Sequence, residues 1–134
     1  MRRNSPTPSA NSTAALALYR LGALTGEARY TNHADQIIRL LARAIPQSPS
    51  AFSQALMAVA MRNSGVAEIV ITGDRPDLLA EVRRRWLPHA VVAWGEPYDS
   101  PLWERRGPDL AFVCHDHVCQ LPVGTVADLV RQLG

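Results

Sequence analysis

Apolar residues recur at three- and four-residue spacing through the first half of the chain, and give way to short β-branched runs beyond residue 65. Ala14, Ala17, Leu18, Leu21 and Leu24 predict an amphipathic helix over residues 11–25, stopped by Gly26. Its early turns are rich in alanine, which lets a neighbouring backbone approach closely. A second helix is predicted over residues 28–45, with Ala34, Ile37, Ile38, Leu41 and Ile45 on one face and Pro46 closing it. These two form a helical hairpin. A third, over residues 50–62, turns Phe52, Ala55, Leu56, Val59 and Ala60 inward and ends at Asn63-Ser64-Gly65.

The second half alternates strand and helix. Residues 67–72 predict a buried strand closed by Gly73. A helix follows, with Asp74 as N-cap, Pro76 and Asp77 in the first turn, and Leu78, Leu79, Val82 and Trp86 as its buried stripe. A strand over residues 89–94 then lies parallel to the first, since a strand, helix and strand at this spacing close as a right-handed crossover. A proline-bearing loop over residues 95–108 leads to two short strands, 110–114 and 118–121. Thr125 and Asp128 form a capping-box pair opening the last helix, whose Val126, Leu129, Val130 and Leu133 face inward. The expected class is α+β or α/β: a helical segment over residues 1–64, then a small β-α-β-β-α unit over residues 65–134. Ile69, Ile71, Leu79, Val91, Phe112 and Leu129 are expected to share one core.

Composition narrows the class without naming a reaction. The 134 residues are 47% hydrophobic and 19% charged, which excludes a disordered tail or a low-complexity array. All 14 basic residues are arginine, and the net charge of +2 is too small to argue for a nucleic-acid or membrane partner. No apolar run approaches the ~20 residues that cross a bilayer, and Met1-Arg2-Arg3 is not followed by an apolar stretch. A cytoplasmic setting is expected.

Four segments invite chemistry. The turn Ile71-Thr72-Gly73-Asp74 sits where phosphates bind, but has one glycine and places Asp74 and Asp77 where an anion would lie, so helix capping is expected. Arg83-Arg84-Arg85 suits a solvated helix C-terminus. Trp86 and Trp94 fall on core positions, leaving Trp103 as the surface aromatic. Cys114-His115-Asp116-His117-Val118-Cys119 packs potential ligands tightly, yet a zinc site needs a second ligand pair, which only His33 or His89 could supply; no metal and no cofactor are expected. A two-residue turn at Asp116-His117 pairs His115 with Val118 and Cys114 with Cys119, and a four-residue loop brings the same two cysteines together at its base. The two thiols are expected as a structural pair, reduced in a cytosol and oxidisable outside it, with a redox role open.

Three segments in register carry a family resemblance. Pro8-Ser9-Ala10-Asn11-Ser12, then Glu68-Ile69-Val70-Ile71-Thr72-Gly73-Asp74, then Ala111-Phe112-Val113-Cys114 with Cys119 and Pro122 beyond, resemble the C-terminal end of thioredoxin-domain-containing proteins related to spermatogenesis-associated protein 20. The resemblance implies a longer parent: a thioredoxin-like domain, a central α/α toroid similar to six-hairpin carbohydrate-active enzymes, and this segment. The expected function is that of a non-catalytic C-terminal module completing the toroid, its partner the remainder of that parent or a second copy of itself. The rival is a fragment of a glycosidase- or epimerase-like toroid enzyme. There Asn11 and Ser12, with the free N–H groups of the first turn, would line a cavity for a small carbohydrate-like ligand. Helix capping by Ser9 or Asn11 is the structural alternative.

Overall fold

The structure, a computed structural model, describes residues 9–134; Pro8 of the opening motif and Met1-Arg2-Arg3 lie outside the described residues. The chain divides into two compact units. One holds the described residues up to Gly22 together with Glu27–Ser64, the other Ala23–Gly26 with Gly65–Gly134. Among the described residues no helix is long and apolar enough to cross a membrane.

The first unit is helical: α1 (Ala10–Thr25), α2 (Ala28–Leu41) and α3 (Ser53–Ser64), with 3₁₀ turns at Ile45–Gln47 and Pro49–Phe52 before α3. Two boundaries differ from expectation. α2 stops four residues short of Ile45 because Pro46 disfavours a helical residue before it and crowds the carbonyl four residues back. Pro49 likewise draws the start of the third helix into a 3₁₀ turn.

The expected inward faces of α1 and α3 are also corrected. In α1 the buried positions are Ser12, Ala15, Leu16, Tyr19, Gly22 and Ala23, whereas Ala17 and Leu21 are exposed. In α3 they are Ala55, Ala58 and Met61, while Leu56 and Ala60 face out. Both helices are apolar on more than one side, so close backbone approach decides the face rather than side-chain size. At Gly22 a Cβ would stand 2.6 Å from Thr31 Oγ1 on α2. α2 buries Ala34 and leaves Leu40 78% exposed.

The second unit is built on a four-stranded sheet in the order β2-β1-β3-β4, from β1 (Ala67–Ile71), β2 (Ala90–Trp94), β3 (Ala111–His115) and β4 (Val118–Cys119). β1 pairs in parallel with β2 and antiparallel with β3, and β3 antiparallel with β4. The parallel pair is joined by α4 (Pro76–Arg83), and α5 (Val126–Leu133) ends the chain. Thr125 caps α5 as expected, accepting from the Asp128 N–H at 3.1 Å.

Alternation along the strands gives the sheet two cores. Ile69, Ile71, Ala111 and Val113 pack with Leu78 and Val82 of α4 and Leu129 of α5, and Leu79 joins them. Val70, Ala93, Phe112 and Cys114 form the other core with Leu102, Leu24 and Trp103. The single core expected from sequence is therefore split. Phe112 stands opposite Val70, and Val91 opposite Glu68, so both lie on the face away from Ile69 and Leu129.

Four further positions are corrected. Arg75, not Asp74, is the residue before α4, because Pro76 takes the first helical position. Trp86 lies beyond the helix end and is 84% exposed, and Trp94, at the end of an edge strand, is 51% exposed. Trp103, expected at the surface, is half-buried and meets Tyr98 edge to face at 5.8 Å between ring centroids.

Candidate functional site

β3 and β4 meet through Asp116 and His117, both at positive φ (48° and 64°), the twist a two-residue hairpin turn needs. Asp and His tolerate that region better than most residues. The register pairs His115 with Val118 and Cys114 with Cys119, as the spacing predicts. The opposed sulfurs are bonded as a disulfide, with the two Cα atoms 3.8 Å apart. Cys114 is 1% exposed and Cys119 half-buried, so the outer sulfur is the reachable one.

Two charged side chains flank the disulfide. Arg106, from the loop ahead of β3, donates through Nε to the Leu102 carbonyl at 2.8 Å and stacks 4.7 Å from the Phe112 ring centroid. Its Nη2 then lies 3.1 Å from Cys119 Sγ and 3.9 Å from Cys114 Sγ. Glu68 stands directly opposite Cys114 on β1 and is 2% exposed. Its Oε2 accepts the His117 backbone N–H at 3.3 Å. Burial pushes the Glu68 carboxyl above its ordinary pKa, against the pull of that N–H and of the His117 and His115 side chains. Carboxyl, inner sulfur, outer sulfur and guanidinium thus form a row across β1, β3 and β4.

Sequence reasoning found the cysteines of this row but not its charges. Glu68 carries a legible signal, being the one ionisable residue in the apolar run of β1. Arg106 carries none, since only folding brings the loop over Phe112. Among the described residues no three His, Cys, Asp or Glu side chains gather as a metal-binding group.

The helical unit holds a second polar cluster. Tyr19 of α1 donates to Asp35 Oδ1 of α2 at 2.7 Å, and Arg62 of α3 donates to the same oxygen at 3.0 Å. Burial pushes the Tyr19 hydroxyl pKa well up, and the bond to Asp35 adds to it. Burial also works against the Asp35 carboxylate, but Arg62 and Tyr19 outweigh it and hold its pKa below the ordinary range. Beside them opens a cleft of about 500 Å³ lined by Tyr19, Asp35, Ile38, Arg39, Val59, Arg62 and Asn63. Asn11 and Ser12 are not part of it. Ser9 is the cap of α1, accepting from the Ser12 N–H at 3.1 Å, and the buried Ser12 hydroxyl lies 2.7 Å from that of Ser9. Asn11 is exposed on the first turn.

In the turn after β1 the basic and acidic side chains pair with one another. Arg75 is engaged by Asp77 at 2.9 Å and by the carbonyls of Asp109 and Gly124, each at 2.8 Å. That pairing holds the Asp77 carboxyl below its ordinary pKa. Nor are the three arginines at and beyond the end of α4 a free patch. Arg84 and Arg85 pair with the buried Glu81, and Arg83 stacks on Trp94 at 4.9 Å.

The molecule is thus a mixed α+β protein: a three-helix unit, and a four-stranded mixed sheet covered by helices on one face and carrying a disulfide row on the other. No family model matches the chain. It is similar to spermatogenesis-associated protein 20 of Homo sapiens, 25% identical over 142 aligned positions that cover 94% of this chain. The chain spans 18% of that relative's length. No solved structure matches it.

Proposed function

We propose that this chain acts as a non-catalytic module of a longer protein of the spermatogenesis-associated protein 20 kind, its helical unit completing an α/α toroid and its α/β unit forming a cap. The observation that carries this reading is the reach of the similarity: 94% of this chain against 18% of the relative. The helices add support. Each leaves a large apolar side chain in solvent, Leu21 on α1, Leu40 on α2, and Leu56 and Met57 on α3, of the kind neighbouring hairpins cover in a toroid. The partner is then the remainder of the parent chain. A cytoplasmic location goes with this reading.

Immunoblotting of source cells with an antibody raised against this chain tests it. A band several times larger than 134 residues is expected, and a band of this chain's own size alone overturns it. Insulin reduction and aryl-glycoside hydrolysis by the purified chain are expected to be flat; turnover in either overturns the non-catalytic role.

The Tyr19–Asp35–Arg62 cleft favours a second reading, in which the helical unit belongs to a carbohydrate-processing toroid and helps hold a small hydroxyl-rich ligand. Asn11, exposed at the start of α1 and outside that cleft, is the remaining candidate of the expected pair, while Ser12 is engaged with Ser9. Calorimetric titration with mono- and disaccharides separates the readings. Saturable heat, weakened in Asn11→Ala at unchanged melting temperature, supports the second.

A further inference from the structure

We propose that Cys114 and Cys119 form a thiol–disulfide exchange site, at which an external dithiol attacks Cys119, Arg106 holds the Cys119 thiolate, and Glu68 passes a proton to Cys114. This goes beyond the module reading, because the exchange is stoichiometric and needs no turnover.

Access fixes the direction of attack. Cys114 Sγ is enclosed by Val70, Leu102 and Phe112, so an incoming thiolate meets the half-buried Cys119 Sγ. A bond forms between the dithiol sulfur and Cys119, the Cys114–Cys119 bond breaks, and its electron pair leaves on Cys114. A buried thiolate there is costly unless it is protonated. Glu68, the cross-strand neighbour of Cys114, is a carboxyl whose pKa burial raises, so it holds a proton more readily than an exposed glutamate. It protonates Cys114 and becomes the carboxylate, still bonded to the His117 N–H.

The second thiol of the dithiol, as thiolate, then attacks its own mixed-disulfide sulfur and expels Cys119 as thiolate beside Arg106. The dithiol has lost two electrons and two protons and become a disulfide. The pair has gained the two electrons and, once solvent reprotonates Glu68, one net proton; the other stays in solvent. The charges facing the site are Arg106, which favours the thiolate, and on the hairpin Asp116, His115 and His117, of which Asp116 opposes ionisation of Glu68 and the histidines favour it. The thiols remain opposed after reduction. The hairpin keeps its own ladder, with the Gln120 N–H donating to the Val113 carbonyl at 2.9 Å, so the bond can close again.

The experiment is alkylation of the dithiothreitol-reduced chain with iodoacetamide across pH 4 to 10, read by peptide mass spectrometry. Cys119 is expected to react at least about tenfold faster than Cys114, with an apparent pKa below the ordinary ~8.5. Arg106→Met is expected to cut the Cys119 thiolate fraction at pH 7 about tenfold or more, and Arg106→Lys to restore it. Glu68→Gln is expected to slow reduction by dithiothreitol about tenfold or more, as loss of a proton donor does. A wild-type Cys119 that titrates at or above the ordinary value overturns the proposal, whether or not the variants fold. So does a disulfide that dithiothreitol opens only after urea has unfolded the chain. A folded Arg106→Met with an unaltered Cys119 profile removes the role given to Arg106.

Discussion

Glu68 shows how one side chain couples the strand to solution pH. Its folded-state pKa lies above the ordinary carboxyl value of ~4.3, so the folded chain holds that proton more tightly than the unfolded one. The stability this contributes is complete below the ordinary value and declines as pH rises through the folded-state pKa. Glu68→Gln has no proton to lose. Its urea midpoint relative to the wild type is therefore expected to climb between pH 4 and pH 7, and a constant difference across that window would show that Glu68 titrates as an exposed carboxyl. At this scale the sequence was legible where a residue breaks its local pattern. A glutamate among Ala67, Ile69, Val70 and Ile71 is such a break, and so are two cysteines placed symmetrically about a two-residue turn. Arg106 and Asp35 break no pattern, because their partners come from segments distant in the chain.

The secondary-structure elements follow local rules more faithfully than their faces do. Caps, prolines and turn residues act within a few positions, which is why the Thr125 cap, the Asp116-His117 turn and the parallel crossover through α4 were all readable. The burial of α1 was not. Leucine spacing pointed to Leu18 and Leu21, while Ala15, Tyr19 and Gly22 set the contact, since small residues let helices meet along a line that hydrophobicity alone does not reveal. Pro46 predicts the end of α2, and its effect reaches about one turn further back along the helix than its position suggests.

Gly73 marks the tightest connection between elements. At φ +70° it occupies the left-handed region, and a Cβ there would run into Asp109 Oδ1. Gly73→Ala is expected to lower stability by about 1–2 kcal/mol, read as a drop in urea midpoint at unchanged slope. A midpoint within experimental error of the wild type would mean that the loop carrying Asp109 yields freely.

On the scale of the whole molecule, the disulfide is a modest brace. Its cysteines are five residues apart, and closing so short a loop stabilises the folded state by about 2 kcal/mol through chain entropy. Reduction is accordingly expected to lower the unfolding free energy by that amount and leave the chain folded, a small part of the roughly 5–15 kcal/mol typical of domains. Collapse of the circular-dichroism spectrum on reduction at 25 °C would show the bond to be indispensable instead.

Ala23–Gly26 belongs to the sheet unit although α1 runs to Thr25, so cutting or grafting this chain at its apparent helical boundary divides that unit. Tyr98 and Ser100 both donate to the Leu24 carbonyl, and His117 Nε2 lies 3.2 Å from that of Ala23. The two units are therefore interleaved in sequence. A recombination point placed anywhere between Gly26 and Gly65 sends four residues of the sheet unit away with the helices, leaving two donors facing a missing acceptor and the Val70–Phe112 core without Leu24.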